Sequence, residues 1–136
     1  MPLRCFIQEQ APIPGTVAQP VRYPVCEWVG DDGPVDVEHP LNRFVCAWLT
    51  SDVNTLERCQ EVQAVLAQVA SGQRAHGAVD GDAFNVDVQP QGVQFNFSHV
   101  GPDDLAWWNL PQGRFSISAV RDVLSAWGQY LQTDPQ

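Results

Sequence analysis

The clearest pattern in the chain lies between Ala83 and Ser98, where Phe84, Val86 and Val88 alternate with Asn85, Asp87 and Gln89. After Pro90-Gln91-Gly92 the alternation resumes, with Val93, Phe95 and Phe97 separated by Gln94 and Asn96. A period of two on both sides of a short break predicts an antiparallel hairpin at about 84–98 with one dry face. Setting Val88 opposite Val93 puts Val86 against Phe95 and Phe84 against Phe97, so burial of one face fixes the register. Gln89 to Gly92 then forms the loop, with Pro90 and Gln91 at its centre. An isolated hairpin is marginal in water, so its apolar face needs a cover.

Two amphipathic segments supply that cover. Leu56, Cys59, Val62, Leu66 and Val69 make one stripe, capped by Ser51 and Asp52 or by Thr55 and closed at Gly72. Ile117, Val120, Leu124, Trp127 and Leu131 make a second, with Ser116 as its cap and Pro135 as its stop. Gln73 to Gly81 reads as a polar connection between the first helix and the hairpin. His99 to Asn109, rich in Gly, Pro and Asp, reads as a loop that nevertheless carries Leu105, Trp107 and Trp108.

Upstream the signals are shorter. Leu3 to Glu9 reads as a strand, and Pro12, Pro14, Gly15 and Pro20 mark an extended loop. Val21 to Val29 reads as a second strand, placed at an edge or interrupted by Pro24. The Gly30-Asp31-Asp32-Gly33 turn then leads to Val35-Asp36-Val37-Glu38 as its return strand. Arg43 to Thr50 is a continuous apolar run, short and partly β-branched, which predicts a buried strand. The expected fold is a single α+β domain over 1–136, a mostly antiparallel sheet packed by two main helices at about 53–70 and 117–132.

At 44% hydrophobic content over 136 residues the chain has enough apolar material for one real core. The opening residues lack the apolar region of a signal peptide, and no stretch reaches the roughly 18 apolar residues of a membrane span, so a cytoplasmic protein is expected. Cys5, Cys26, Cys46 and Cys59 make no Cys-x-x-Cys pair and sit in apolar surroundings, which suits reduced structural thiols.

Charge changes the picture most. There are 16 acids against seven arginines and no lysine, for a formal net charge of -9. Glu27, Asp31, Asp32, Asp36 and Glu38 occupy one stretch without a base, and Asp80, Asp82, Asp87, Asp103 and Asp104 another. Such a surface repels nucleic acid, whose binding needs basic groups. A basic protein partner suits it better.

Signals for catalysis are missing. His39, His76 and His99 share no ligand spacing with one another or with a cysteine, so neither a metal nor a cofactor is expected. Asp80-Gly81-Asp82 begins like a calcium loop, but Phe84 stands where the next oxygen ligand belongs. No Ser or Cys has a local base signature, and adjacent loop acids are mostly solvated surface. A non-enzymatic role follows. Trp107 and Trp108 differ from these, because bulky rings beside Asp103 and Asp104 in a loop have the make-up of a protein-binding hot spot. Trp28, near the Gly30 turn, is a second candidate of that kind.

Several of these segments also form a larger pattern over roughly the second half of the chain. A helix ending in Ala70-Ser71-Gly72 is followed by Gly81-Asp82-Ala83-Phe84-Asn85-Val86-Asp87-Val88, a turn, Gly92-Val93-Gln94-Phe95-Asn96-Phe97 and an acidic loop. Phe115-Ser116-Ile117-Ser118-Ala119-Val120 and a helix carrying Val123 to Leu131 complete it. This order resembles the CdiI-type immunity proteins, small cytoplasmic antidotes of bacterial contact-dependent growth inhibition systems. The resemblance implies a partner, the cognate CdiA C-terminal toxin domain, commonly a nuclease with a basic surface. It also implies tight binding that blocks the toxin's active site, by a monomer in a 1:1 complex. Toxin-contacting residues are not fixed across such proteins, so none transfers by position. The composition of the chain itself makes Asp103, Asp104, Trp107, Trp108, Asp31, Asp32, Asp80 and Asp82 the candidate contacts. A rival from another class is an acidic secretion chaperone for an exported effector.

Overall fold

A computed structural model describes residues 3–11, 14–15, 21–30 and 35–133. Its centre is the expected hairpin. Strands β4 (Phe84–Gln89) and β5 (Gly92–Phe97) pair antiparallel with Val88 opposite Val93, Val86 opposite Phe95 and Phe84 opposite Phe97. Five of these six side chains are buried and Phe97 is half-buried. Alternation over two strands therefore set the register, since a one-residue slip of either strand would turn its three apolar side chains outward.

The hairpin lies in a four-stranded antiparallel sheet, ordered β3-β4-β5-β6, with β3 at Gly77–Asp80 and β6 at Arg114–Phe115. The segment expected to be a polar connection thus contains an edge strand. Val79 is its one bulky buried residue, so the alternation has nothing to repeat against. Gly77 lets it approach the helix behind it, because a Cβ there would come within 2.6 Å of Val65 Cγ1.

Helix α2 (Leu56–Ala70) is capped by Thr55, whose hydroxyl accepts from the Arg58 amide at 3.2 Å. It stops where Gly72 turns to φ +83°, a conformation glycine adopts without penalty. Ser116 caps α3 (Ile117–Thr133) by accepting from the Ala119 amide at 3.1 Å. The two stripes read from the sequence are the buried faces, and the Cys59 thiol reaches the Leu124 carbonyl at 3.6 Å where the helices meet. Asp52 has a different task from the capping expected of it. Its carboxylate accepts from the amides of Ala83 and Phe84, at 3.0 and 2.9 Å, and so ties the preceding helix to the start of β4.

Two expectations fail in the first half of the chain. Arg43 to Thr50 is helical: a π-helical stretch, Leu41–Cys46, runs straight into α1 (Ala47–Asp52). Phe44, Val45, Cys46, Trp48 and Leu49 are all buried, so no polar face marks the helical period. The second failure is the return strand at Val35 to Glu38, which contains a turn and leaves Val37 70% exposed. Strand β2 (Val21–Trp28) pairs instead with β1 (Leu3–Gln10), from Leu3 opposite Trp28 to Gln10 opposite Val21.

The reason is visible at the free edge of β2. Asn42 accepts from the Trp28 amide at 2.7 Å and donates to the Trp28 carbonyl at 2.9 Å, while Thr50 accepts from the Cys26 amide at 3.4 Å. Side chains of the helical segment thus take the place of a strand and cover an edge otherwise open to pairing. The same Asn42 amide also donates to the Asp36 carbonyl at 2.9 Å, which anchors the turn. Asn42→Ala strips its partner from the Trp28 N–H and C=O and leaves the Asp36 carbonyl with the His39 amide alone. A loss of about 1–3 kcal/mol in urea unfolding is expected, and an unchanged midpoint would show that water replaces the side chain at no cost.

Candidate functional site

The polar face of β5 does not meet solvent as simple alternation implies. Gln94 and Asn96 are buried, Asn96 to 2%, because the segment from Ser98 to Leu110 folds back over them. Asn96 and Asn109 exchange two hydrogen bonds: the Asn96 side-chain amide donates to Asn109 Oδ1 at 3.0 Å, and the Asn109 backbone donates to Asn96 Oδ1 at 2.7 Å. Gln94 Nε2 donates to the Leu110 carbonyl at 3.0 Å, and Arg114 Nε donates to Gln94 Oε1 at 3.1 Å. Asn109 has φ +54°, a left-handed conformation that Asn tolerates better than most residues.

The other end of the loop is fastened as well. The Ser98 amide donates to the Ala83 carbonyl at 3.0 Å and its hydroxyl to the Asp82 carbonyl at 2.6 Å. Between these roots the chain makes tight turns, with the amides of Trp107 and Trp108 both donating to the Asp104 carbonyl. Held at both ends, the loop presents its middle outward. Leu105 is 89% exposed and Trp107 49%, with Asp103 and Asp104 exposed beside them, whereas Trp108 is half-buried.

Trp107 and Asp104 line a cavity of about 410 Å³ together with Arg43, Phe97, His99 and Val100. The Arg43 guanidinium lies 5.8 Å from the Phe97 ring centroid and 5.3 Å from that of Phe44, within cation-π range of both. The site therefore combines exposed apolar side chains, exposed carboxylates and one arginine held over aromatic rings. A sequence reading of acids and tryptophans misses Arg43, His99 and Leu105. Arg43 was read as part of a strand, His99 entered only as a failed metal ligand, and Leu105 is one apolar residue among turn formers.

The structure brings Asp103, Asp104, Trp107 and Trp108 into one loop. Asp80 and Asp82 flank the turn at the root of that loop, both exposed, with the Asp82 backbone bonded to Ser98. Asp31 and Asp32 lie outside the described residues. Trp28, the other aromatic candidate, is half-buried and stacks on His39 with ring centroids 4.2 Å apart. Among the described residues no group of three or more His, Cys, Asp or Glu side chains is placed to hold a metal ion.

Asn109→Ala removes the acceptor of the Asn96 side-chain amide, leaving only the backbone half of the exchange, and puts a less tolerant residue at positive φ. A stability loss of about 1–3 kcal/mol is expected, with hydrogen exchange rising in the loop more than in β4. A uniform rise across the sheet would mean that the asparagine pair supports the core and not the loop. No family model, curated protein or solved structure matches the chain.

Proposed function

We propose that the protein is a toxin antidote: it binds the C-terminal toxin domain of its cognate CdiA-type exoprotein through the 98–110 loop and blocks the toxin's active site. It acts by binding and not by catalysis, as a monomer in a 1:1 complex, in the cytoplasm where the toxin must be stopped. The observation that carries this reading is the exposure of Leu105 and Trp107 beside Asp103 and Asp104 on a loop rooted at both ends. Exposed apolar residues rimmed by charge mark interaction surfaces. A Trp that inserts into a partner pocket is among the strongest sources of binding energy at an interface.

Two physical terms favour the same partner. A loop already shaped by its own hydrogen bonds loses little freedom on binding, so more of the contact energy appears as affinity. The net charge of -9 speeds encounter with a basic domain such as a nuclease and repels other acidic proteins. No helix among the described residues is long and apolar enough to cross a membrane.

Co-expression tests the proposal. The C-terminal domain of any large exoprotein encoded immediately upstream is induced in a susceptible host, with and without this protein. Growth is expected to stop without it and to recover with it. Continued arrest in the presence of the folded protein would refute the proposal; capture of an unfolded export substrate in place of a folded domain would establish the secretion chaperone instead.

A further inference from the structure

Three of the four cysteines converge away from the loop, where β1, β2 and the helical segment meet. Cys5 stands directly opposite Cys26 in the β1–β2 register, so the two side chains share one face of the ribbon. On the other side of Cys26, its Sγ lies 3.3 Å from Cys46 Sγ. Cys26 is thus the shared neighbour of both other sulfurs. Cys26 and Cys46 are buried, whereas Cys5 is only half-buried and is the most accessible of the three. Cys26 and Cys46 also border a cavity of about 350 Å³ walled by Val25, Val35, Val37 and Ala47, which leaves room for the sulfurs to shift.

We propose that Cys5, Cys26 and Cys46 form an oxidation site for hydrogen peroxide, in which Cys5 reacts first and the disulfide comes to rest between Cys26 and Cys46. The Cys5 thiolate attacks one peroxide oxygen, breaks the O–O bond and becomes a sulfenic acid, with hydroxide leaving. The Cys26 sulfur then attacks the Cys5 sulfur; the S–O bond breaks, and the Cys26 proton leaves with the oxygen as water. Cys46 next attacks the Cys26 sulfur, so that Cys5 departs as thiolate and takes up the proton that Cys46 gave. In sum two thiols and one peroxide yield one disulfide and two waters.

The chemistry of each sulfur suits its part. The hydrogen bond from Cys26 holds Cys5 below the ordinary thiol range, which increases its thiolate fraction and makes it the better leaving group. Hydrogen bonds to Cys46 and Cys5, together with burial, push Cys26 well above that range, so it remains protonated until a neighbour is oxidised. Antiparallel neighbours such as Cys5 and Cys26 have Cα separations compatible with a disulfide. The second bond needs the 3.3 Å contact between Cys26 and Cys46 to close to about 2.05 Å. Cys59, buried on α2 and raised by desolvation, has no thiol neighbour among the described cysteines and serves as an internal control.

The test treats the reduced full-length protein with hydrogen peroxide under native conditions, alkylates it at intervals and maps the cysteines by mass spectrometry. A peptide linking Cys26 to Cys46 is expected, with Cys5 and Cys59 still alkylatable. Cys5→Ser is expected to slow the bond at least about tenfold, Cys46→Ser to stop the reaction at Cys5–Cys26, and Cys26→Ala to leave Cys5 as a sulfenic acid captured by dimedone. Oxidation of Cys5 to sulfinic acid without any disulfide, or an equal rate in Cys5→Ser, would overturn the proposal. Circular dichroism monitors folding of each variant, and if a variant fails to fold, the mapping of the wild-type chain decides.

Discussion

Trp107→Ala is expected to weaken the proposed toxin binding by about 2 kcal/mol or more, roughly thirtyfold in Kd, while folding stability changes by less than about 1 kcal/mol. The separation follows from where the ring sits. About half of Trp107 faces solvent, and the loop is held by Ser98, Asn109 and Leu110, not by Trp107's side chain. Removing the ring therefore costs the free protein little. In the proposed complex it removes the largest exposed apolar side chain of the loop, and replacing Asp103 or Asp104 with Asn should instead act mainly on the association rate and its salt dependence. Trp108→Ala serves as the contrast, because that half-buried ring belongs more to the protein than to the surface and its loss is expected to register first in stability. Titration and urea unfolding of the three variants check these assignments. Equal losses of binding for Trp107→Ala and Trp108→Ala, with equal losses of stability, would show that the loop acts through its shape alone.

The largest effect on folding is expected at Phe95. Its ring is buried and meets three others edge-on: Trp48 at 5.1 Å, Phe115 at 5.6 Å and Phe84 at 6.3 Å between centroids. Those partners come from α1, β6 and β4, so one side chain joins the helical first half to three strands of the sheet. Phe95→Ala leaves a cavity lined by rings too rigid to collapse into it, at a cost of about 3–5 kcal/mol. Each edge-to-face contact adds about 0.5–1.5 kcal/mol beyond buried area. Against the roughly 5–15 kcal/mol that stabilises a typical domain, this is a large share. Urea unfolding should show a much lower midpoint with a preserved slope. A loss below about 1 kcal/mol would mean that the core repacks around the gap and that the ring cluster is not its centre.

The elements that were legible in the sequence share one property, a polar face that records the period of the apolar one. The hairpin register followed from six apolar residues separated by polar ones, and α2 and α3 followed from stripes with Thr55 and Ser116 as caps. Where a segment is buried on several sides the record disappears. Residues 43–50, inside the helical segment 41–52, read as a strand because Phe44 to Leu49 carry no polar residue to show a helical turn. Strand β3 has the opposite problem, one bulky apolar residue and a glycine that matters for its closeness to Val65. In the return strand expected at Val35 to Glu38, a side chain took the role of a backbone, and nothing local in Asn42 announces that it will satisfy Trp28.

The candidate site was partly legible for the same reason. Trp107 close to two aspartates in a Gly- and Pro-rich segment is a local signal, and tight turns at Asp104 leave its ring exposed. The anchoring of the loop was not legible. Asn96 and Asn109 are thirteen residues apart and look like ordinary polar positions until the chain folds one over the other. Arg43 reaches the same surface from the far side of the sequence.

Calorimetric titration of the protein into the purified C-terminal toxin domain of the proposed cognate exoprotein, at two salt concentrations, tests the central claim most directly. The account predicts a 1:1 complex of nanomolar affinity that weakens as salt rises, with Trp107→Ala binding about thirtyfold or more weakly at either concentration. Absence of binding to the folded domain, or binding indifferent to both salt and Trp107, would contradict it.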